Sequence, residues 1–327
     1  MMSEFYFITH DNHDAYFNIA SEEYLLKQKE DFFVYLWVNA PAVIVGVNQN
    51  TIQEVNLNWT EEKGVKVVRR LTGGGAVYHD LNNVCWTVIA PYNAGEESYK
   101  KFTAPVIEYL SSIGVKAEFA GRNDILVDGK KISGNAETVY NGRIMHHGTI
   151  LFDTDVDALA GALKPNKIKT ESKGIKSVRA RVTNVKQHLP SDKPMTAKEF
   201  YSGLSAHLSK GLKSYKFDSN DLEKIDTLVK DKYSTYQWNF GYSPKGKNQL
   251  EEKLSFGLIS ISFDTDGGVM QNVSIHGDFF SSKPVDEFAK SLNGTQFERN
   301  ALKKAFKKVG EYISGATAEE IVKSLLG

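Results

Sequence analysis

The sequence contains very little cysteine: Cys85 is the single thiol among 327 residues. One cysteine excludes a disulfide framework and a zinc site built from several thiolates. The H-E-x-x-H pattern of zinc hydrolases is also absent. The adjacent His146 and His147 would point to opposite faces of a strand, so they do not chelate one metal well. We therefore expect no zinc centre, and we expect one of the two histidines to line a pocket.

The sequence also lacks an excess of charge of one sign, because 40 Lys and Arg residues balance 40 Asp and Glu residues. Without net charge, no overall electrostatic field steers the chain to nucleic acid or to an anionic membrane. The longest apolar region, residues 32–47, is interrupted by Asn39 and Pro41 and is too short to span a bilayer. The first residues are acidic where a signal peptide would be basic. We expect a cytoplasmic protein.

The length of the chain predicts two domains, because 327 residues exceed the usual size of roughly 150 per domain. Strands are predicted at residues 32–38, 42–47, 64–70 and 84–90, and helices at 16–29, 98–113, 156–163 and 197–212. Residues 243–253 carry proline, glycine and charge without an apolar period, which predicts a domain boundary. Beyond it we expect a hairpin turning at Asp266-Gly267-Gly268, followed by two helices.

Two dipeptides predict an antiparallel meander. Asp128-Gly129 and Asn141-Gly142 each separate two extended runs, and both pairs favour the type I′ turn of a two-residue hairpin. Together they place Lys131 on the middle of three strands. A lysine on a strand usually faces solvent, but Gly134 removes a side chain close to this one.

The stretch RRLTGGGAVYHD, residues 69–80, places three glycines beside two arginines. It fits neither the P-loop nor the dinucleotide fingerprint, because a strand is expected to follow it. A turn or bulge between strands is one interpretation. Exposed amides beside the charged fork of Arg70 also describe an anion site, which we favour.

Residues 164–186 carry eight basic side chains against the single Glu171. Such a run is often a solvated or nucleic-acid-binding segment. It contains no aromatic residue that could stack on a base. We therefore favour a loop that closes over a polyphosphate.

Four stretches, in this order, resemble the lipoate–protein ligase A family: RRLTGGGAVYHD, GRNDILVDGKKISGNAE, HHGTILFD and SKGIKSVRARVTN. The resemblance covers about residues 5–245, and the remainder is similar to the accessory C-terminal domain of the long bacterial forms. It implies an α+β fold related to biotin protein ligases, a mixed, largely antiparallel sheet flanked by helices, with a small α/β C-terminal domain. The implied domains are residues 1–245, the catalytic domain, and 246–327, the accessory domain.

The resemblance also implies a two-step reaction that uses ATP, Mg2+ and lipoate. Lipoate and ATP form lipoyl-AMP and pyrophosphate, and the lipoyl group then passes to a lysine of an acceptor protein. The implied acceptors are lipoyl domains of 2-oxo-acid dehydrogenases and the glycine-cleavage H protein. We expect a monomer that binds neither nucleic acid nor membrane.

The family's functional residues carry over position by position. Lys131 corresponds to the catalytic lysine that contacts both the carboxylate and the α-phosphate, and Asp124 to a ligand of Mg2+. The implied nucleotide-binding residues are Arg70, Gly75, Ala76, Val77, Tyr78, Asn123, Asp124, Lys131, Lys173, Ser177 and Arg179. The implied lipoate-binding residues are Trp37, Val45, Arg70, Gly74, Gly75, Lys131 and His147.

Two alternatives remain at this point. Transferases of the same fold work through a cysteine in the loop that corresponds to residues 118–122, where this chain has none, and Cys85 instead lies in an apolar strand. A non-catalytic binding protein that uses the basic run is the second alternative. The set Arg70, Asp124 and Lys131 argues against this second alternative.

Overall fold

The computed structural model describes residues 4–49, 51–163, 181–240, 248–266, 269–296 and 299–326. Its strands, in chain order, are β1 (Phe5–Thr9), β2 (Phe32–Val38), β3 (Ala42–Val45), β4 (Lys66–Arg69), β5 (Val77–His79), β6 (Asn83–Pro91), β7 (Glu118–Ala120), β8 (Asp124–Val127), β9 (Lys130–Tyr140), β10 (Arg143–Leu151), β11 (Lys213–Ser214), β12 (Asn248–Leu254), β13 (Gly257–Asp266) and β14 (Val269–Gly277). Its α-helices are α1 (Ala15–Gln28), α2 (Thr51–Glu54), α3 (Leu57–Glu62), α4 (Ser98–Ser112), α5 (Val156–Ala162), α6 (Ala197–Leu208), α7 (Ser219–Leu228), α8 (Tyr236–Phe240), α9 (Val285–Ser291), α10 (Arg299–Phe306) and α11 (Ala318–Leu326).

Eight strands form the main sheet, in the order β11-β1-β2-β6-β10-β9-β8-β7. Strand β1 is parallel to β2 and β11, and the other neighbouring pairs are antiparallel. A second sheet, β4-β3-β5, carries the start and the end of the triple-glycine segment. The mixed, largely antiparallel architecture expected from the sequence is confirmed.

The two predicted hairpin turns are confirmed by their backbone angles. Asp128 and Gly129 have φ of 50° and 72°, and Asn141 and Gly142 have φ of 47° and 74°. A type I′ turn requires positive φ at both central residues, which Asn, Asp and Gly tolerate best. The turns align β8, β9 and β10 antiparallel, and Lys131 lies on the middle strand β9.

Helices cover both faces of the main sheet. On one face, α4 and α6 pack against the sheet through residues that include Val106, Phe200 and Leu204. On the other face, α1 is buried nearly all round, so that its polar side is inside the protein as well. A buried carboxylate requires a partner, and α1 places two of them, Glu22 and Glu23, in the interior.

Several element boundaries follow the sequence prediction closely. Helix α6 begins with a capping box, in which the Thr196 hydroxyl accepts from the Glu199 amide and the Glu199 carboxylate accepts from the Thr196 amide. Helix α4 ends before Gly114, whose φ of 87° suits a helix C-terminus. No helix among the described residues is both long enough and apolar enough to cross a membrane.

The C-terminal unit has its own apolar core. Its structure differs from the sequence prediction in two respects. The hairpin β13–β14 is confirmed, although Gly267 and Gly268 lie outside the described residues. Residues 248–254, taken as linker, form the edge strand β12, whose side chains alternate between half-buried and exposed. Three α-helices rather than two follow the hairpin among the described residues, because the seven-residue α9 was too short to show an apolar period.

Candidate functional site

The three glycines form a loop, residues 73–75, between β4 and β5, and we call it the glycine loop. Gly74 has φ of 90°, a conformation that favours glycine. The strand β5 follows directly, as predicted, and pairs with β3. A Cβ atom at Gly46 would lie less than 3.0 Å from the carbonyl oxygen of Gly74, so two backbones meet here at a distance that only glycine permits.

Arg70 holds the glycine loop from beneath. Its buried guanidinium donates from Nη2 to the carbonyl oxygens of Gly73 at 2.6 Å and Gly75 at 2.9 Å, and from Nη1 to that of Ile44 at 3.1 Å. Burial lowers the pKa of Arg70 to about 10, which leaves the side chain charged at neutral pH. The positive charge therefore lies directly under the loop. Its hydrogen bonds keep the carbonyl groups of the loop pointing toward the guanidinium.

The outward side of the loop presents amides. Within the described part of the chain, the amides of Gly75 and Ala76 make no hydrogen bond to a protein acceptor. The Gly74 amide donates to the carbonyl oxygen of Phe279, in the C-terminal unit, at 3.4 Å. Adjacent free amides above a buried cation form a concavity suited to an anion.

A cavity of about 120 Å³ lies beside the loop, between the two sheets of the N-terminal part. It is lined by Ile19, Trp37, Ile44, Arg70, Gly74, Gly75, Ala76, Val77, His79, Cys85, Asn123, Lys131, Gly134, Asn135, Ala136, His147, Gly148 and Thr149.

The wall of the cavity changes from polar to apolar across four neighbouring strands. Lys131 lies on β9, His147 on β10, Cys85 on β6 and Trp37 on β2, and these strands are adjacent in the sheet in that order. Three strand spacings span about 14 Å. The cavity can thus hold an elongated molecule with a polar head near β9 and an apolar tail near β2.

Lys131 is the cation at the polar end. Its Nζ lies 2.7 Å from Asp124 Oδ1, and the two side chains are 34% and 35% exposed. A Cβ atom at Gly134 would lie 2.7 Å from this Nζ, so the glycine leaves the space that the ammonium occupies. The end of the basic segment returns to the same point, because the Thr183 amide donates to the Lys131 carbonyl oxygen at 2.9 Å.

Asn123 and Asp124 lie at the start of β8, next to this lysine. Asn123 Nδ2 donates to the Asn135 carbonyl oxygen at 2.7 Å, and the Asn135 amide donates back to the Asn123 carbonyl oxygen at 2.9 Å. This exchange fixes the carboxylate of Asp124 beside Lys131. The described residues contain no group of three or more His, Cys, Asp or Glu side chains that could hold a metal ion.

The two adjacent histidines face opposite sides of β10, as predicted. His146 packs among Trp86, Tyr99 and Phe102 on the side of α4, where burial lowers its pKa. His147 faces the cavity.

Cys85 and His79 lie at the apolar end, and both are uncharged at neutral pH. Burial lowers the pKa of His79 to about 3, and the neighbouring charge of Arg70 adds to the shift. Burial also raises the pKa of the Cys85 thiol well above its usual value. A protonated thiol is a poor nucleophile, so Cys85 is unsuited to covalent catalysis.

The ligase that the sequence resemblance implies needs no thiol, so for such an enzyme Cys85→Ala should leave lipoylation of an acceptor within about threefold of wild type and still dependent on ATP, at a stability cost of about 1 kcal/mol. The measurement is lipoylation of an acceptor with and without ATP. Loss of activity in Cys85→Ala, together with ATP-independent activity of the wild type, would instead favour the cysteine-dependent transferase.

Most of the predicted site residues surround this cavity, with exceptions. Val45 and Tyr78 pack into an apolar cluster behind the small sheet, and Ile44, one residue earlier, lines the cavity instead. Strand alternation reverses the face at each residue, so the side chains of Ile44 and Val45 point to opposite sides of β3. Lys173, Ser177 and Arg179 lie outside the described residues.

The sequence reading missed several residues that matter here. Ile19, Ile44 and His79 line the cavity, and Glu22 and Thr72 contact residues that do. For Glu22, the only available signal was its position on the polar side of the helix predicted at residues 16–29. A polar side is an ordinary feature of surface helices.

The C-terminal unit reaches the same site through residues 279–281. The guanidinium of Arg122 lies 4.3 Å from the ring centroid of Phe280, a cation–π geometry. Asn48 Nδ2 donates to Ser281 Oγ at 3.0 Å. A Cβ atom at Gly73 would meet the carbonyl oxygen of Phe279 at less than 3.0 Å. The glycine loop is therefore packed from above by the C-terminal unit.

Comparison with known proteins agrees with this geometry. Residues 14–209 match the lipoyl protein ligase A/B catalytic domain, and residues 243–325 match the bacterial lipoate protein ligase C-terminus. The chain is 41% identical over 327 residues to the lipoate-protein ligase LplJ of Bacillus subtilis, covering 97% of this chain and 98% of that protein.

Two solved structures are similar as well. One is LipL1 of P. falciparum in complex with lipoate, at 26% identity and a TM-score of 0.78, covering 98% of this chain and 99% of that one. The other is the bipartite lipoate protein ligase of Thermoplasma acidophilum, described with its E2 lipoyl domain, at 25% identity and a TM-score of 0.65, covering 76% of this chain and 100% of that one.

Proposed function

The chain belongs to the lipoate–protein ligase family, and we propose that it activates lipoate with ATP as lipoyl-AMP before transferring the lipoyl group to a protein lysine. In this proposal the cavity holds lipoate and its mouth holds the nucleotide. The catalytic domain comprises residues 1–245 and the accessory domain residues 246–327, a division that the separate apolar core of the C-terminal unit supports.

The observation that carries the proposal is the gradient along the cavity wall. The dithiolane ring and acyl chain of lipoate have no hydrogen-bonding demand, which suits the end near Trp37 and Ile44. The carboxylate requires a cation, which suits Lys131. Gly75 and Ala76 line the same cavity as Lys131, so their amides are available to a phosphate that meets the carboxylate.

In the first step a carboxylate oxygen of lipoate attacks the α-phosphorus of ATP, and pyrophosphate leaves with the electron pair of the broken bond. Two unit charges at ~4 Å repel by about 4 kcal/mol at an effective dielectric of 20. The ammonium of Lys131 lies between them, offsets that repulsion and stabilises charge in the transition state. The amides of Gly75 and Ala76 hold α-phosphate oxygens, and Arg70 keeps those amides in place.

Mg2+ bound to the nucleotide would neutralise charge on the departing pyrophosphate. The magnesium of ATP-dependent enzymes is held by one or two carboxylates together with phosphate oxygens. The carboxylate of Asp124 beside Lys131 fits that donor set and is the group of this chain that would hold the ion.

In the second step the amine of an acceptor lysine attacks the carbonyl carbon of lipoyl-AMP, an amide forms and AMP leaves. No protein nucleophile takes part, which agrees with the protonated state of Cys85. We propose lipoyl domains of 2-oxo-acid dehydrogenases or the glycine-cleavage H protein as acceptors. The pairing of the Thermoplasma ligase with an E2 lipoyl domain supports the first of these.

Oxygen labelling tests the proposed chemistry. The protein is incubated with ATP, Mg2+, an apo lipoyl domain and lipoate that carries 18O in its carboxylate. Attack on the α-phosphorus transfers one labelled oxygen to AMP, and lipoyl-AMP accumulates when the acceptor is omitted. Label in inorganic phosphate, or formation of ADP, would contradict adenylation, and mass spectrometry separates these results.

A further inference from the structure

The glycine loop is connected to a buried carboxylate that no step of the proposed reaction uses. We infer that Glu22, on α1, is a positioning residue for adenylation: through His147 and Thr72 it fixes the guanidinium of Arg70 and thereby the amides of the glycine loop. This inference rests on the proposed function, and it adds a residue that does not touch the reacting atoms.

Three hydrogen bonds carry the connection. Glu22 Oε1 lies 2.8 Å from His147 Nδ1, and His147 Nε2 lies 2.7 Å from Thr72 Oγ1. Arg70 Nε donates to the same Thr72 oxygen at 2.8 Å. The chain therefore runs without a break from a helix on one side of the cavity to the loop on the other.

The donors and acceptors along this chain are consistent with one arrangement of protons. Arg70 Nε can only donate, so it occupies a lone pair of Thr72 Oγ1. The hydroxyl hydrogen of Thr72 is then free to point to His147 Nε2. His147 carries its proton on Nδ1 and donates it to Glu22. One negative and one positive charge thus terminate the chain.

Glu22 is itself fixed from behind. Its Oε1 accepts from the Thr87 hydroxyl at 2.6 Å, and that hydroxyl accepts from Trp37 Nε1 at 3.1 Å. Its negative charge also raises the pKa of Arg70 against the lowering by burial. The carboxylate of Glu22 is only 1% exposed and is hydrogen-bonded from two sides, so it keeps one orientation. That orientation in turn fixes His147.

The neighbouring Glu23 provides a matched control. It lies on the same helix, it is 5% exposed, and its carboxylate contacts Lys232 at 2.7 Å and Lys27 at 2.8 Å on the side away from the cavity. Glu23→Gln removes a buried negative charge of the same kind without touching the connection to Arg70.

The experiment measures two half-reactions in Glu22→Gln, Glu23→Gln and wild type. We expect Glu22→Gln to lower lipoate-dependent ATP–pyrophosphate exchange about tenfold, equivalent to about 1.4 kcal/mol. Transfer from saturating supplied lipoyl-AMP to an apo lipoyl domain should stay within about twofold of wild type, because saturation offsets weaker binding to the loop and the two anions have to be brought together only when the adenylate forms. Glu23→Gln should leave both half-reactions unchanged and lower only the unfolding temperature.

A double-variant cycle separates positioning from general stability. If Glu22 acts through Thr72, the variant Glu22→Gln/Thr72→Val should be no slower in exchange than the slower single variant. Wild-type exchange in Glu22→Gln, equal losses in both half-reactions, or additive losses in the double variant would each overturn the inference. Wild-type protein without exchange activity would instead overturn the proposed function.

Discussion

Replacement of Lys131 by alanine should lower lipoyl-AMP formation at least ~100-fold, because a preorganised charged donor at the reacting centre contributes about 2.7–4 kcal/mol to transition-state stabilisation. The side chain lies at the cavity mouth, its ammonium pairs with Asp124, and Gly134 keeps its space open. No other lysine lines the cavity among the described residues, so no neighbour there can replace it.

Folding should change little in this variant. The ion pair with Asp124 is about one-third exposed on both sides, and such pairs contribute about 0–1 kcal/mol. Lys130→Ala is the matched control, because Lys130 is the preceding residue of β9 and is exposed. Lipoyl-AMP, quantified by mass spectrometry in single turnover, gives the comparison. Equal yields from Lys131→Ala and wild type would remove Lys131 from the mechanism.

The second large effect is expected at Gly46. Its Cβ atom in Gly46→Ala would overlap the carbonyl oxygen of Gly74, a backbone atom that can move only with the glycine loop. A displacement of about 1 Å at a reacting centre can cost ~100-fold in rate. Overpacking of this kind also costs about 1–3 kcal/mol of stability. We expect adenylation and the unfolding temperature to fall together.

The variant Gly75→Ala tests contact between the glycine loop and the nucleotide separately from packing of the protein backbone. A Cβ atom at Gly75 meets no atom within 4 Å, and its φ is not positive, so the free protein should be as stable as wild type within about 0.5 kcal/mol. The added methyl group enters the space from which a phosphate would approach the amide. Losing one hydrogen bond to a charged group, about 1.5–3 kcal/mol, should raise the KM for ATP at least about tenfold. An unchanged KM for ATP would place the nucleotide elsewhere.

The sequence was sufficient to predict the elements that depend only on residues adjacent in the chain. Both hairpin turns depend on a dipeptide with positive φ, and the glycine loop depends on three adjacent residues, so each could be identified without knowing its neighbours in space. The strand β12 was taken as linker because an edge strand that is exposed on one face has only weak apolar alternation.

The parts that could not be predicted depend on contacts between distant segments. Glu22 and His147 are 125 positions apart in the chain, and their contact forms only when α1 packs on the main sheet. Phe279 and Gly74 are contributed by separate units. Val45 and Ile44 differ by one position, and only the strand register decides which of them faces the cavity.

The C-terminal unit therefore takes part in shaping the site. The Phe279 carbonyl oxygen accepts from the Gly74 amide, and the Phe280 ring lies over Arg122, two residues before Asp124. The loop that is proposed to bind phosphate is thus braced by Arg70 below and by this unit above. We expect a substitution in residues 279–281 to alter nucleotide affinity through this contact with the glycine loop.

A crystal structure with a non-hydrolysable lipoyl-adenylate analogue, such as the acyl sulfamate, would show directly whether the cavity and the glycine loop hold the two halves of the adenylate. We expect the acyl–sulfamate linkage within hydrogen-bond distance of Lys131 Nζ and of the Gly75 or Ala76 amide, with the dithiolane ring against Trp37. A well-ordered analogue bound away from these groups, or with its linkage and its ring in exchanged positions, would contradict the proposed site.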